Sequence, residues 1–185
     1  MNATKPKQGN LLIAKPATLG DEMFSRTVVL LADHSSKGSI GFILNKPLQF
    51  TIQDLIPEIH SELLIYNGGP VEQDSLYYIH NVPHIIKDSI EIANGVYWGG
   101  DFQTTKKLIN EGVIQKENIR FFLGYSGWGI QQLEEELTEG AWLITEEELA
   151  KGIISKETTS LWKEKILEQG DLAYWSNAPE HPSYN

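Results

Sequence analysis

The apolar run Phe121-Phe122-Leu123 leads into Gly124-Tyr125-Ser126-Gly127-Trp128-Gly129, so a strand meets three glycines that carry a tyrosine and a tryptophan. Glycine lets a backbone turn sharply and approach another group closely, and aromatics are costly to leave at such a turn unless something packs on them. The spacing predicts a strand over Ile119 to Tyr125, a glycine corner, and an acidic helix from Ile130 to Thr138 whose Ile130, Leu133 and Leu137 face the core. Asn67-Gly68-Gly69-Pro70 and Trp98-Gly99-Gly100 are corners of the same kind. The chain thus breaks its apolar segments into short strands.

Gly9 to Ala14 and Thr27 to Leu31 read as strands, and turn chemistry at Ser35-Ser36-Lys37-Gly38 joins the second to Ser39 to Leu44 as a hairpin with Asp33 and His34 at its tip. Thr51 to Asp54 reads as a capping box opening a short helix that Pro57 stops, and Leu63 to Tyr66 and Leu76 to His80 read as strands. Asn94-Gly95, between Ile90 to Ala93 and Val96 to Gly99, is the strongest hairpin signal in the chain. Asp101 fits the N-cap of a helix from Phe102 to Asn110, with Gly112 just past its end. A strand over Ala141 to Ile144, a capping box at Thr145 to Glu148 and a helix over Thr158 to Gln169 burying Leu161, Trp162 and Ile166 complete the reading. Strands outnumber helices and no βαβ series appears, which argues an α+β fold with a mostly antiparallel or mixed sheet.

The 185 residues suffice for one domain, with 1–8 and 176–185 as flexible tails. Fifteen basic against twenty-five acidic residues give a formal charge of -10, and the basic residues form no run, so direct binding to DNA or RNA is disfavoured. The absence of cysteine removes disulfides, thiol nucleophiles and thiolate metal sites. Residues 1–9 lack the apolar core of a signal peptide and no segment reaches the length of a membrane span, so a cytoplasmic protein without membrane contact is expected. Nothing in the sequence calls for a cofactor.

Gly9-Asn10-Leu11-Leu12-Ile13-Ala14, the segment Phe24 to His34, Gly41 to Pro47, Gly68-Gly69-Pro70-Val71, and Gly124 to Trp128 followed by Gln132 to Glu136, taken together, resemble the YqgE/AlgH family over roughly residues 9–142. The resemblance implies a bacterial cytoplasmic protein whose helices flank a barrel-like β-sheet, and it transfers no catalytic residues. One branch of that family is associated with transcriptional regulation of exopolysaccharide synthesis. With this acidic composition, such a role implies a protein or small-molecule partner in place of DNA.

Gly124 to Gly129 falls short of the nucleophile elbow, because Trp128 occupies its second glycine position; Ser126 is therefore a weak nucleophile candidate beside a tight, aromatic-packed turn. A helix starting near Trp128 would aim free N–H groups at the corner, as for an anion. Asp33 next to His34 offers a carboxylate and an imidazole for acid–base work, although neighbours on a strand point to opposite faces. His80 and His84 have metal-ligand spacing, but Pro83 and the lack of a third ligand argue against a metal site. Glu134 to Glu136 reads as a solvated helix face. The expected binding site combines Asn67, Gly68 and Gly69 with Trp98, Tyr125, Ser126, Gly127 and Trp128, with no metal. The leading expectation is a non-enzymatic binding or regulatory protein. The alternative is a small metal-independent hydrolase or transferase using His34 with Asp33 or Ser126, and a structural scaffold is the third.

Overall fold

The computed structural model of the protein describes residues 5–15, 21–145, 151–156, 158–168, 170 and 176. Ten strands run through them: β1 (Leu11–Ala14), β2 (Val28–Ser35), β3 (Gly38–Ile43), β4 (Pro47–Thr51), β5 (Leu64–Asn67), β6 (Val71–His80), β7 (Ile90–Ala93), β8 (Val96–Trp98), β9 (Ile119–Trp128) and β10 (Trp142–Ile144). Four helices are interspersed, α1 (Ile52–Leu55), α2 (Phe102–Asn110), α3 (Gln132–Thr138) and α4 (Leu161–Leu167), the last preceded by a 3-10 turn at Lys151–Ile153.

The strands follow the order β10-β1-β2-β3-β9-β6-β8-β7, with β4 joined through β5 to β9. Every pairing is antiparallel except β5 with β9. The α+β expectation therefore holds. The path has two ends, β10 and β7, so the sheet is open and does not close into the barrel expected. It curls far enough for Gln8 Nε2, ahead of β1, to donate to the carbonyls of Glu91 and Ile92 in β7 at 2.8 and 3.1 Å.

β1 and β2 read as unbroken apolar runs because both of their faces are covered. Leu11, Ile13, Val28, Leu30 and Ala32 join Phe42, Phe122 and the α4 residues Leu161, Trp162 and Ile166 in one cluster. Leu12, Ala14, Val29 and Leu31 face the other way, onto Ile43, Trp128, Trp142 and Leu133 of α3. A third cluster, around Ile52, Ile65, Tyr78, Ile109 and Phe121, lies beneath α1 and α2.

Several elements follow their sequence signals closely. Asn94 and Gly95 both take positive φ, 50° and 81°, as a primed hairpin turn requires. Asp101 caps α2 by accepting from the N–H groups of Gln103 and Thr104 at 3.0 and 3.4 Å, and Thr51 and Asp54 form the capping box of α1. The expected box over Thr145 to Glu148 falls mainly on residues outside those described, as does the last residue of the expected final helix.

β9 departs from expectation. It runs ten residues through the presumed corner, because Ser126, Gly127 and Trp128 pair with Gly41, Ile40 and Ser39 of β3. Gly124, at φ 70°, marks a break in register with β6 between Val71 and Leu76. α3 then starts only at Gln132, and Ile130, expected in the core, is 72% exposed. β2 and β3 likewise extend to the hairpin tip, so that Asp33 and His34 belong to a strand.

Candidate functional site

The two glycine segments meet, and they meet as backbone against backbone. Gly68 N–H donates to the Leu123 carbonyl at 2.8 Å, and the Gly68 carbonyl accepts from Ile43 N–H and from Ser126 Oγ at 3.0 and 3.1 Å. A Cβ on Gly68 would sit 2.2 Å from the Gly124 carbonyl oxygen, so this crossing admits no side chain. Asn67 Oδ1 accepts from Gly69 N–H at 3.0 Å, and Asn67 Nδ2 lies 3.5 Å from Met23 Sδ. Ser126 is wholly buried and its hydroxyl is committed to Gly68, which removes it as a nucleophile.

The three expected aromatics divide between two faces. Tyr125 and Trp98 border the α4-side cluster, each in ring contact with Tyr77, at 5.7 and 6.5 Å between centroids. The Tyr77 hydroxyl donates to the Glu72 carboxylate, and partial burial with that carboxylate pushes its pKa up to about 12. Trp128 lies on the α3 side, edge to face with Trp142 at 6.0 Å. Both indole N–H groups donate to one carboxylate oxygen of Glu136, at 2.9 and 2.7 Å. Gln132 Nε2 donates to the other oxygen at 3.0 Å. Glu136, expected on a solvated helix face, instead ties α3 to the sheet; its spacing from the two tryptophans is the signal that marks it.

At the end of the β2–β3–β9 ladder, a depression of about 450 Å³ is lined by Asp33, Lys37, Ile40, Val71, Tyr125 and Gly127, among others. Asp33 pairs with Ile40 and Ile40 with Gly127, which sets these three in one row across the sheet. Val71 enters next to Tyr125, its partner across β6 and β9. Tyr125 is half-buried, whereas Asp33, Lys37 and Gly127 are exposed, giving an apolar floor with a charged rim.

The neighbouring row places His34, Ser39 and Trp128 side by side. His34 Nδ1 lies 2.8 Å from Ser39 Oγ, and His34 Nε2 lies 3.7 Å from a carboxylate oxygen of Glu134 in α3. Asp33 is one residue along the strand and on the opposite face, so the carboxylate beside His34 is Glu134 and not Asp33. Ser39, which the sequence did not single out, is 6% exposed.

His80 is buried, with Nε2 donating to the Gly99 carbonyl at 3.0 Å and Nδ1 accepting from Val82 N–H at 3.2 Å. Burial lowers its pKa below the ordinary histidine value. Among the described residues, no three His, Asp or Glu side chains gather as a metal site would need, and no helix is long and apolar enough to cross a membrane.

The AlgH-like family model DUF179 matches residues 11–173. A UPF0301 protein of Bacteroides fragilis is 41% identical over 187 residues, which cover 100% of this chain and 94% of that protein. A UPF0301 protein of Cytophaga hutchinsonii is 42% identical, covering 96% of this chain and 98% of that one. In solved structures the fold recurs in a protein from Corynebacterium diphtheriae, with a TM-score of 0.76, 20% identity and coverage of 96% and 95%. It recurs in the AlgH protein from Pseudomonas aeruginosa, with a TM-score of 0.71, 23% identity and coverage of 98% and 100%. From the family match and relatives at about 40% identity over nearly their full length, the chain belongs to the AlgH/YqgE family, also designated UPF0301.

Proposed function

We propose that the protein is a cytoplasmic, non-enzymatic binding protein of regulatory character, working through a small-molecule or protein partner and not through DNA. The observation that carries this reading is the convergence of the β2–β3 tip, Val71, Tyr125 and Gly127 on one open depression with a half-buried aromatic in its wall. Apolar floor, aromatic wall and a few charged groups at the rim are the ordinary make-up of a recognition site. The formal charge of -10 opposes polyanions over the molecule as a whole. Ser126, Gly68 and Trp128 support the site from behind; Tyr125, Lys37 and Gly127 face the partner.

A thermal-shift screen against metabolites, paired with affinity capture, tests the reading when run on the wild type and on Tyr125→Ala. Expected is a ligand or captured protein that the variant loses while keeping its own melting temperature within a few degrees. Partners held equally by both forms would place recognition elsewhere.

One contact favours a second reading, a serine hydrolase or acyltransferase. His34 Nδ1 at 2.8 Å from Ser39 Oγ, with Glu134 behind Nε2, has the order of nucleophile, base and orienting carboxylate. Ser39 Oγ would attack an acyl carbon as its proton passes to His34 Nδ1, and that proton would then go to the leaving group. A fluorophosphonate probe would label Ser39 in the wild type but not in Ser39→Ala or His34→Ala. Absence of labelling in the folded wild type rules this chemistry out and leaves His34 and Ser39 as a cross-strand pair.

A further inference from the structure

Asp33 and Lys37 give the depression at the end of the β2–β3–β9 ladder two opposite charges on one rim. Both are exposed and they stay beyond ion-pair distance of each other; among the described residues neither side chain makes an ion pair or a hydrogen bond. The hairpin fixes their placement. Asp33 sits opposite Ile40 in the ladder, and Lys37 N–H donates to Ser35 Oγ at 3.2 Å in the turn that carries it. The other carboxylate near this wall, Glu72, is already committed as the acceptor of the Tyr77 hydroxyl.

Beneath that rim the floor is apolar, built from Ile40, Val71 and the half-buried Tyr125. Tyr77 holds the Tyr125 ring edge to face at 5.7 Å, so the wall is set before anything binds. Gly127, paired with Ile40, keeps the floor open: a Cβ there would stand 3.2 Å from the Tyr125 ring and 3.6 Å from Val71. A simple carboxylate would meet Asp33 and the net charge of -10 as like charge, and a simple amine would meet Lys37 as like charge. A zwitterion satisfies both ends of the rim and carries no net charge into the molecule's field.

We propose that the depression binds a zwitterionic α-amino acid with an apolar or aromatic side chain. Its ammonium meets Asp33, its carboxylate meets Lys37, and its side chain lies over Ile40, Val71 and Tyr125. This rests on the binding role proposed above for the same depression. Exposed ion pairs contribute little each, so the apolar side chain supplies most of the affinity and the binding is weak.

Chemical-shift titration of the isotope-labelled full chain with L-phenylalanine and L-leucine tests the assignment. The controls are 3-phenylpropionate, which lacks the ammonium, and phenethylamine, which lacks the carboxylate. Expected are saturable shifts centred on Lys37, Tyr125 and Gly127 for both amino acids, with each analogue weaker than phenylalanine by at least about fivefold. Asp33→Asn and Lys37→Gln each weaken phenylalanine about fivefold, and the melting temperature of each unliganded variant checks its fold. The proposal is overturned if neither amino acid binds saturably, if both analogues bind as tightly as phenylalanine, or if the folded variants bind as the wild type does. A Tyr125-dependent partner from the thermal-shift and capture screen, with no amino acid bound, overturns this assignment alone. Amino-acid binding that Tyr125→Ala leaves unchanged places the site elsewhere and overturns both readings.

Discussion

Two side chains show how burial assigns work that residue type alone leaves open. His80 uses both ring nitrogens, one donating to the Gly99 carbonyl and the other accepting from Val82 N–H, an arrangement only the neutral ring can make. Its folded pKa lies below its unfolded value, so between the two the unfolded chain binds the extra proton and stability rises with pH. The stabilisation is complete above about pH 6.5, declines as the pH falls below that, and levels off beneath the folded pKa. Urea unfolding of wild type and His80→Asn, compared between pH 7.5 and 5.5, should show a shallower pH slope in the variant; equal slopes would mean that His80 titrates alike in both states. Glu136 is the second case. A run of glutamates on a helix reads as solvated because that is their usual fate, and only the positions of Trp128 and Trp142 reveal one of them as the acceptor for two indoles. His34 was legible as a polar residue near the β2–β3 tip, whereas its partners Ser39 and Glu134 come from pairing and packing that no local pattern states.

At the scale of elements, the signals that are local by nature were legible and those that depend on a neighbour were not. The Asn94-Gly95 hairpin and the Asp101 cap need only adjacent backbone, and both stand where the sequence puts them. β9 runs beyond the strand expected over Ile119 to Tyr125, through glycines that normally end a strand. Here β3 pairs with Ser126, Gly127 and Trp128 on one side while Gly68 crosses Gly124 on the other. The glycines in this region therefore answer to close approach more than to turning. Gly68 and Gly127 should respond differently to alanine. At Gly68 the methyl meets the Gly124 carbonyl at 2.2 Å with no side chain to move aside, whereas at Gly127 the nearest atom is in the Tyr125 ring, at 3.2 Å. Gly68→Ala should cost on the order of 3 kcal/mol or prevent folding, in line with a forced overpacking of the interior. Gly127→Ala should stay within about 1 kcal/mol of wild type while crowding the depression beside Tyr125. Chemical denaturation of the two variants measures the difference, and a Gly68→Ala protein as stable as wild type would show that the strand crossing can relax.

The whole molecule depends on contacts between distant parts of the sequence. β1 lies between β2 and β10, with Leu12 opposite Val29 on one side and Ile144 on the other. Arg120, buried near the start of β9, donates to the carbonyls of Leu44, Ile154 and Lys156 at 3.1, 2.5 and 3.0 Å, holding the segment before α4 against the sheet. Trp162 of α4 closes onto Ala14 from the other direction. Non-local pairing of this kind must absorb loop-closure entropy before it is rewarded, so folding should be slow for the size of the chain. A chain ending at residue 140 provides the sharper test. It keeps eight of the nine strand pairings, yet it loses β10, Trp142 and α4, leaving both the edge and one face of the apolar strand β1 uncovered. An uncovered apolar edge invites association with other chains, and the lost faces remove the packing that holds β1 and β2 in register. Size-exclusion chromatography and urea unfolding should find this fragment aggregated or without a cooperative transition. A monomer that unfolds cooperatively near the full-length midpoint would instead show that β1 to β9 form a self-sufficient core to which β10 and α4 are merely added.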